Sequence, residues 1–239
     1  MHKEEFLRKY FTNWNIQLEC MAIDDISKWI ETLKWKKDDI SLEIVAKRKT
    51  DLYALYISLV EIFIINHLVI KENNLDSFFD ENPHNYISSY LSDKNKFESL
   101  INLCFTNDLW FLQNKDETKK QYEEFIRVSF ENYQKDFKFL NAYKHWRRVL
   151  PYWKNFPIDK WDSLIFFYHR KRNSSSLYNC EIWFNWEDIF FATYFLIDSM
   201  DNMRRLYLRA DDSTDYKTLD HNRFSKIKAI IYRNESIIL

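Results

Sequence analysis

The chain has no glycine among its 239 residues. Average usage near 7% would supply about 17 glycines in a chain of this length. Loops that bind a dinucleotide or a nucleoside triphosphate need glycine for close backbone approach to the phosphates, so the sequence excludes both classes of loop. Tight hairpin turns and left-handed helix caps are also hard to build, because other residues adopt positive φ at a steric cost. The sequence therefore favours helices joined by Asn- and Asp-rich loops.

Proline and cysteine are scarce as well, with three of each. Cys20, Cys104 and Cys180 are an odd number without paired spacing, which excludes a zinc knuckle and a disulfide framework. Buried, reduced thiols in a cytoplasmic protein fit this pattern. Acidic residues stand at the N-terminus where a signal peptide needs an apolar run, so we expect no export. The sequence predicts no metal and no cofactor.

The charges are almost balanced, with 35 basic and 36 acidic residues and a formal net charge of -1. No field of the whole chain attracts nucleic acid or an anionic membrane, so such a contact requires a local patch. Hydrophobic residues make up 46% and aromatic residues 18%, which is ample for a large core and excludes a disordered chain. The length allows one domain or two small ones, and the uniform composition favours a single domain over residues 1–239.

The most apolar stretch, residues 52–70, is about as long as a membrane-spanning helix. Glu61 lies at its centre, and Asn66 and His67 follow. A charge at mid-bilayer costs at least about 2.5 kcal/mol, so this stretch predicts a buried core helix and no membrane partner. A membrane span is the alternative.

The apolar periodicity predicts a mainly α fold, a single-domain helical bundle with one inserted β-hairpin. The hairpin covers about residues 161–186, and either Asn185 or Asp188 caps the helix after it. Pro151 and Pro157 are expected to end the fourth helix. Helices are predicted at about 6–33, 38–71, 86–112 with a break at 93–96, 116–150, 188–206 and 220–232.

One stretch of the fourth predicted helix has a polar face whose side chains suit catalysis. At 100° per residue, Asn141, Lys144, His145 and Arg148 fall within a sector of about 100°. Apolar residues fall on the opposite side, namely Phe139, Tyr143, Trp146 and Leu150. Lys144 and Arg148 suit the stabilisation of charge on phosphate oxygens, and His145 has the side chain for proton transfer near neutral pH. Asn141 could orient the imidazole or a substrate hydroxyl, and the set fits metal-free RNA cleavage through the 2′-hydroxyl. An ordinary solvated helix face has the same composition.

The segment from Asn141 to His145 resembles the Asn-x-x-Lys-His core of HEPN-type helical proteins. The resemblance implies a protein of bacterial toxin or antiviral defence systems, a metal-independent ribonuclease and a homodimer. It assigns His145 as the catalytic histidine and Asn141 as its polar companion. The family has an Arg four to six residues before this His, whereas Leu140 and Asn141 stand here where the family has Arg-Asn. A relative without activity, binding nucleotide, RNA or a protein partner, is the other member type that fits.

The resulting functional prediction is a HEPN-like, RNA-acting protein of bacterial defence or toxin type, with His145, Arg148, Lys144 and Asn141 as catalytic residues. The alternative is a non-catalytic helical module that binds a protein partner.

Three further sets of polar residues allow predictions. Arg170, Lys171 and Arg172 at the hairpin tip are predicted RNA contacts, although basic residues also protect an edge strand from pairing. Glu61 is expected to make a structural hydrogen bond or salt bridge, and His67 is expected to be either hydrogen-bonded or exposed. Surface ion pairs are expected among Asp198, Asp201, Arg204 and Arg205.

Overall fold

The computed structural model describes Glu5, Lys9 and residues 16–72, 83–104, 115–144, 149–152, 162–168, 177–208 and 231–237. These residues form six helices and four strands. The predicted mainly α fold with an inserted β-hairpin is confirmed. The helices are α1 (Ile16–Leu33), α2 (Asp39–Glu72), α3 (Pro83–Ser92), α4 (Lys94–Cys104), α5 (Lys115–Lys144) and α6 (Trp186–Leu208).

Helix α2 is the central element and packs against α1, α5 and α6. Its apolar side chains are buried around much of its circumference; Tyr53, Tyr56 and Phe63, for example, have no exposed surface. Over Asp39–Leu68 it is long and apolar enough to cross a membrane, and 67% of its most apolar window is buried inside the fold. The stretch therefore has the packing expected of a core helix.

Short polar side chains begin the helices in this chain without glycine. Asp38 Oδ1 accepts a hydrogen bond from the backbone N–H of Ser41 at 2.9 Å at the start of α2. Asp93 separates α3 from α4, and its Oδ1 accepts from the backbone N–H of Asn95 at 2.9 Å, which confirms the predicted break. Of the two candidate caps for α6, Asn185 is the one that accepts from the N–H of Glu187, at 2.9 Å.

The strands form one antiparallel sheet in the order β1-β2-β3-β4, with β1 Val149–Tyr152, β2 Asp162–Tyr168, β3 Tyr178–Phe184 and β4 Ile231–Ile237. Strands β2 and β3 are the predicted hairpin. Alternate side chains point into the core, so Leu164 opposes Ile182 and Phe166 opposes Cys180, all four buried.

Two helix predictions were wrong at their ends. Helix α5 ends at Lys144, and Leu150 lies in β1. Pro151 explains the difference, because the residue before proline disfavours helical dihedrals and an edge strand tolerates the missing N–H. The last predicted helix also fails at Ile231 and Tyr232, which lie in β4; its residues 220–230 lie outside the described part of the chain.

A buried ion pair connects β4 to the helices. Asp136 on α5 has no exposed side-chain surface and accepts hydrogen bonds from Tyr53 on α2 and from Arg233 on β4, whose Nε lies 2.7 Å from Asp136 Oδ1. Arg233 Nη2 also donates to Asn132 Oδ1 at 3.1 Å. Burial opposes the charge of Arg233, but the hydrogen bonds and charge of Asp136 outweigh it and raise the pKa of the guanidinium. Burial, reinforced by the Asp136 charge, raises the pKa of Tyr53 well above its ordinary value, so its hydroxyl stays a donor.

We predict that Arg233→Ala lowers the free energy of unfolding by about 3–5 kcal/mol, because it leaves the Asp136 carboxylate buried without its counter-charge. The measurement is urea denaturation followed by circular dichroism. The matched control is Asn234→Ala, which removes an exposed side chain from the same strand and should change stability by less than about 0.5 kcal/mol. Equal stability of the two variants would contradict a stabilising role for the pair.

Candidate functional site

The last turns of α5 have the two faces that the sequence predicts. Asn141 and Lys144 are exposed, whereas Phe139 and Ala142 are buried and Tyr143 is half-buried. Phe139 packs edge-on against Tyr53 of α2, with ring centroids 5.1 Å apart. One side of α5 thus faces the core, and the other presents an amide and an ammonium three residues apart.

The other predicted site residues cannot be assigned to this face. His145 and Arg148 lie outside the described residues, as do Arg170, Lys171 and Arg172 of the hairpin tip. The predicted grouping of Arg148 with Asn141 assumed that the helix continues to Leu150. Leu150 lies in β1, so that assumption was wrong. Only Asn141 and Lys144 are therefore brought to one described helix face.

A hydrogen bond brings this end of α5 against α2. The hydroxyl of Tyr143 donates to Asp51 Oδ1 at 2.8 Å. Lys47 Nζ lies 3.1 Å and Arg48 Nη1 3.7 Å from the other oxygen, Asp51 Oδ2. Burial, the hydrogen bond to Asp51 and its negative charge raise the pKa of Tyr143 well above its ordinary value. The phenol therefore keeps its proton and remains a donor to the carboxylate.

Three consecutive cations, Lys47 to Lys49, form what we call the basic turn of α2. The side chain of Lys47 is 45% exposed and that of Arg48 is 32% exposed, so both can reach a ligand while contacting Asp51. Lys49 points elsewhere and pairs with the partly buried Asp162 at the start of β2. Lys47 and Arg48 are thus the members of the run that contact Asp51 beside the end of α5.

Sequence reasoning missed the basic turn. The run of three cations was visible as a signal, but such a run is usually a solvated helix face. The basic turn differs from an ordinary solvated face because Asp51, which its cations contact, also accepts a hydrogen bond from Tyr143, 92 positions away in the chain. No local pattern predicts a contact of that range.

The polar side chains of Glu61 and His67 in the apolar helix α2 make structural hydrogen bonds, as predicted. Tyr133 donates to Glu61 Oε2 at 3.0 Å, and the buried His67 has its Nδ1 3.2 Å from the hydroxyl of Tyr90. Asp201 is buried, so its assignment to a surface ion pair was wrong. Asn66 of α2 contacts α6, since its Nδ2 lies 3.8 Å from the sulfur of Met200.

The described residues hold no cluster of three or more His, Cys, Asp or Glu side chains suited to a metal ion. Cys180 is buried and not disulfide-bonded, as predicted, and Cys20 is partly buried and not disulfide-bonded. The side chain of Cys104 lies outside the description. Burial, with the charge of Asp136 nearby, raises the pKa of Cys180 to about 12, so its thiol is not a nucleophile at neutral pH.

We predict that stability falls as the pH rises above about 10. The folded state holds the phenols of Tyr53 and Tyr143 protonated, because their pKa values lie above the ordinary value of 10.0, whereas the unfolded chain releases those protons. The unfolded state then binds fewer protons, and the free energy of unfolding decreases with pH. Chemical denaturation at pH 8 to 11 measures this, and Tyr143→Phe should show a shallower decrease than the wild type. Identical slopes would contradict the protonated hydrogen bond to Asp51.

The chain matches no known protein family, no curated protein and no solved structure. The contacts at the end of α5 are therefore the basis on which a function can be proposed.

Proposed function

We propose that this chain acts on RNA at the surface formed by the last turn of α5 and the basic turn of α2. The observation that carries the proposal is the 2.8 Å hydrogen bond from Tyr143 to Asp51. It holds the last turn of α5, which exposes Asn141 and Lys144, beside the part of α2 that carries Lys47 and Arg48.

The charge of this surface suits a polyanion although the chain as a whole does not. Lys47, Arg48 and Lys144 are three cations near the carboxylate of Asp51, while the net charge of the chain is -1. Contacts to phosphate oxygens supply most of the affinity for nucleic acid irrespective of sequence. Arg48 can also present two N–H donors to one phosphate.

The catalytic part of the proposal rests on His145, which follows Lys144 directly in the sequence. In this mechanism the imidazole removes the proton of a ribose 2′-hydroxyl, whose oxygen attacks the adjacent phosphorus. The bond to the 5′-oxygen breaks, the leaving oxygen takes up a proton from water, the imidazolium returns its proton to water, and a cyclic phosphate remains. Lys144 and Arg148 stabilise charge on the phosphate oxygens, and Asn141 orients the reacting groups.

The resemblance to HEPN-type proteins supplies the wider setting of the proposal. It implies a homodimer in the cytoplasm that belongs to a bacterial toxin or antiviral defence system. Analytical ultracentrifugation of the purified chain tests the dimer separately from RNA binding.

A non-catalytic module that binds a protein partner is the second candidate. Exposed apolar side chains on two neighbouring helices favour it. Met21 on α1 is 64% exposed and Phe191 on α6 is 46% exposed. The same two helices are joined by a hydrogen bond from Tyr194 to Asp24. This candidate predicts no RNA affinity in any variant.

The proposal predicts that the wild type binds and cleaves RNA in EDTA, whereas His145→Ala binds with unchanged affinity and does not cleave. The double variant Lys47→Ala/Arg48→Ala should bind more weakly, with a slope of log K against log salt less steep by about 1.4 if both cations contact phosphates. Filter binding over a salt series and gel analysis of total RNA are the measurements.

The matched control for charge is Lys119→Ala/Lys120→Ala, which removes the same charge from the opposite end of α5. It should bind RNA like the wild type, and thermal melting shows whether each variant is folded. Equal binding by the two double variants, or no binding by the wild type, would overturn RNA binding at this surface. Cleavage that persists in His145→Ala would overturn only the catalytic assignment.

A further inference from the structure

The connection between α1 and α2 carries an unusually exposed aromatic side chain among lysines. Trp35 is 80% exposed, and Lys34 Nζ lies 5.4 Å from the centroid of its ring. Lys36 and Lys37 follow and are exposed. An indole has two faces, and with this exposure the face away from Lys34 is open to a ligand.

A second tryptophan with a cation on its ring lies on the same pair of helices. Trp29 on α1 is 42% exposed, and the guanidinium carbon of Arg48 on α2 lies 5.9 Å from its ring centroid. Arg48 lies nine residues beyond Asp39, the first residue of α2, a rise of about 13 Å along the helix. Trp35 precedes Asp39 and lies in the connection between α1 and α2. The rings of Trp35 and Trp29 therefore lie at different positions along the axis of α2.

These side chains continue the surface assigned above to RNA. Arg48 contacts both the ring of Trp29 and the carboxylate of Asp51, which accepts the hydrogen bond of Tyr143. Contacts therefore lead from Trp29 to the last turn of α5. We call Trp35, Trp29 and the cations Lys34, Lys36 and Arg48 the aromatic–basic row.

We infer that the aromatic–basic row binds single-stranded RNA, with unpaired bases stacked on Trp35 and Trp29 and phosphates on the neighbouring cations. This inference rests on the proposed function and names the class of RNA. Alternating aromatic rings and cations suit a single strand, because its bases have free faces to stack. In a duplex the base faces are occupied by neighbouring bases, so the tryptophans have little to bind.

Two carboxylates at this connection have partners within the chain, and Lys36 and Lys37 are exposed beside them, which favours contact between these lysines and an anion. Glu31 pairs with Lys34, and Asp38 accepts the backbone N–H of Ser41. An anionic lipid surface is a different ligand that exposed Trp35 and the exposed Ile40 would also suit. The experiment therefore includes vesicles as a separate arm.

The test measures fluorescence anisotropy of labelled RNA with the catalytically silent His145→Ala chain, using unstructured polyuridine and a duplex of matched length. The inference predicts tighter binding of polyuridine than of the duplex. Trp35→Ala should weaken polyuridine binding roughly tenfold and leave duplex binding unchanged. Trp35→Phe should retain most of the affinity, because a phenyl ring also stacks.

The control variant is Phe191→Ala, which removes an exposed aromatic ring outside the row and should bind polyuridine like its parent. Equal affinity for both RNAs, or no effect of Trp35→Ala while Lys47→Ala/Arg48→Ala still weakens binding, would overturn this inference and leave RNA binding standing. No affinity for either RNA would overturn both. Binding to phosphatidylserine vesicles that depends on Trp35, without RNA binding, would identify a lipid surface instead and also overturn both.

Discussion

The buried carboxylate of Asp136 determines how α2, α5 and β4 fit together. It accepts hydrogen bonds from Tyr53 on α2 and from Arg233 on β4, and it has no exposed surface. A carboxylate in this position is costly unless it is paired, so each of these partners has to be in place. Arg233 also reaches Asn132, one turn earlier on α5, and the C-terminal strand thereby contributes to the interior of the helical bundle.

The same helix carries the proposed site. Tyr143 lies seven residues, or about two turns, after Asp136, and so points to nearly the same side of α5. There its hydroxyl meets Asp51, next to Lys47 and Arg48. The buried pair sets the position of α5 against α2, and that position brings the polar end of α5 to the basic turn. Stability and the proposed RNA surface are thus properties of one helix interface.

Local chemistry made much of the fold predictable. The hairpin follows from alternation, and the break at Asp93 follows from a side chain that can cap a helix. The exposed position of Lys144 follows from helical periodicity. Strand β4 could not be predicted, because Arg233 points inward and is explained only by Asp136, 97 positions away. The basic turn was missed for the same reason, since its contact with Tyr143 is a tertiary one.

The proposed path of the RNA runs along α1, the basic turn of α2 and the end of α5. The most direct measurement is photo-crosslinking of 4-thiouridine RNA to the full chain, followed by mass spectrometry of the crosslinked peptides. If the RNA follows this path, we expect crosslinks in peptides that contain Trp29 and Trp35, and in the peptide that contains Tyr143. Crosslinks confined to other parts of the chain, or none in excess of a bovine albumin control, would contradict it.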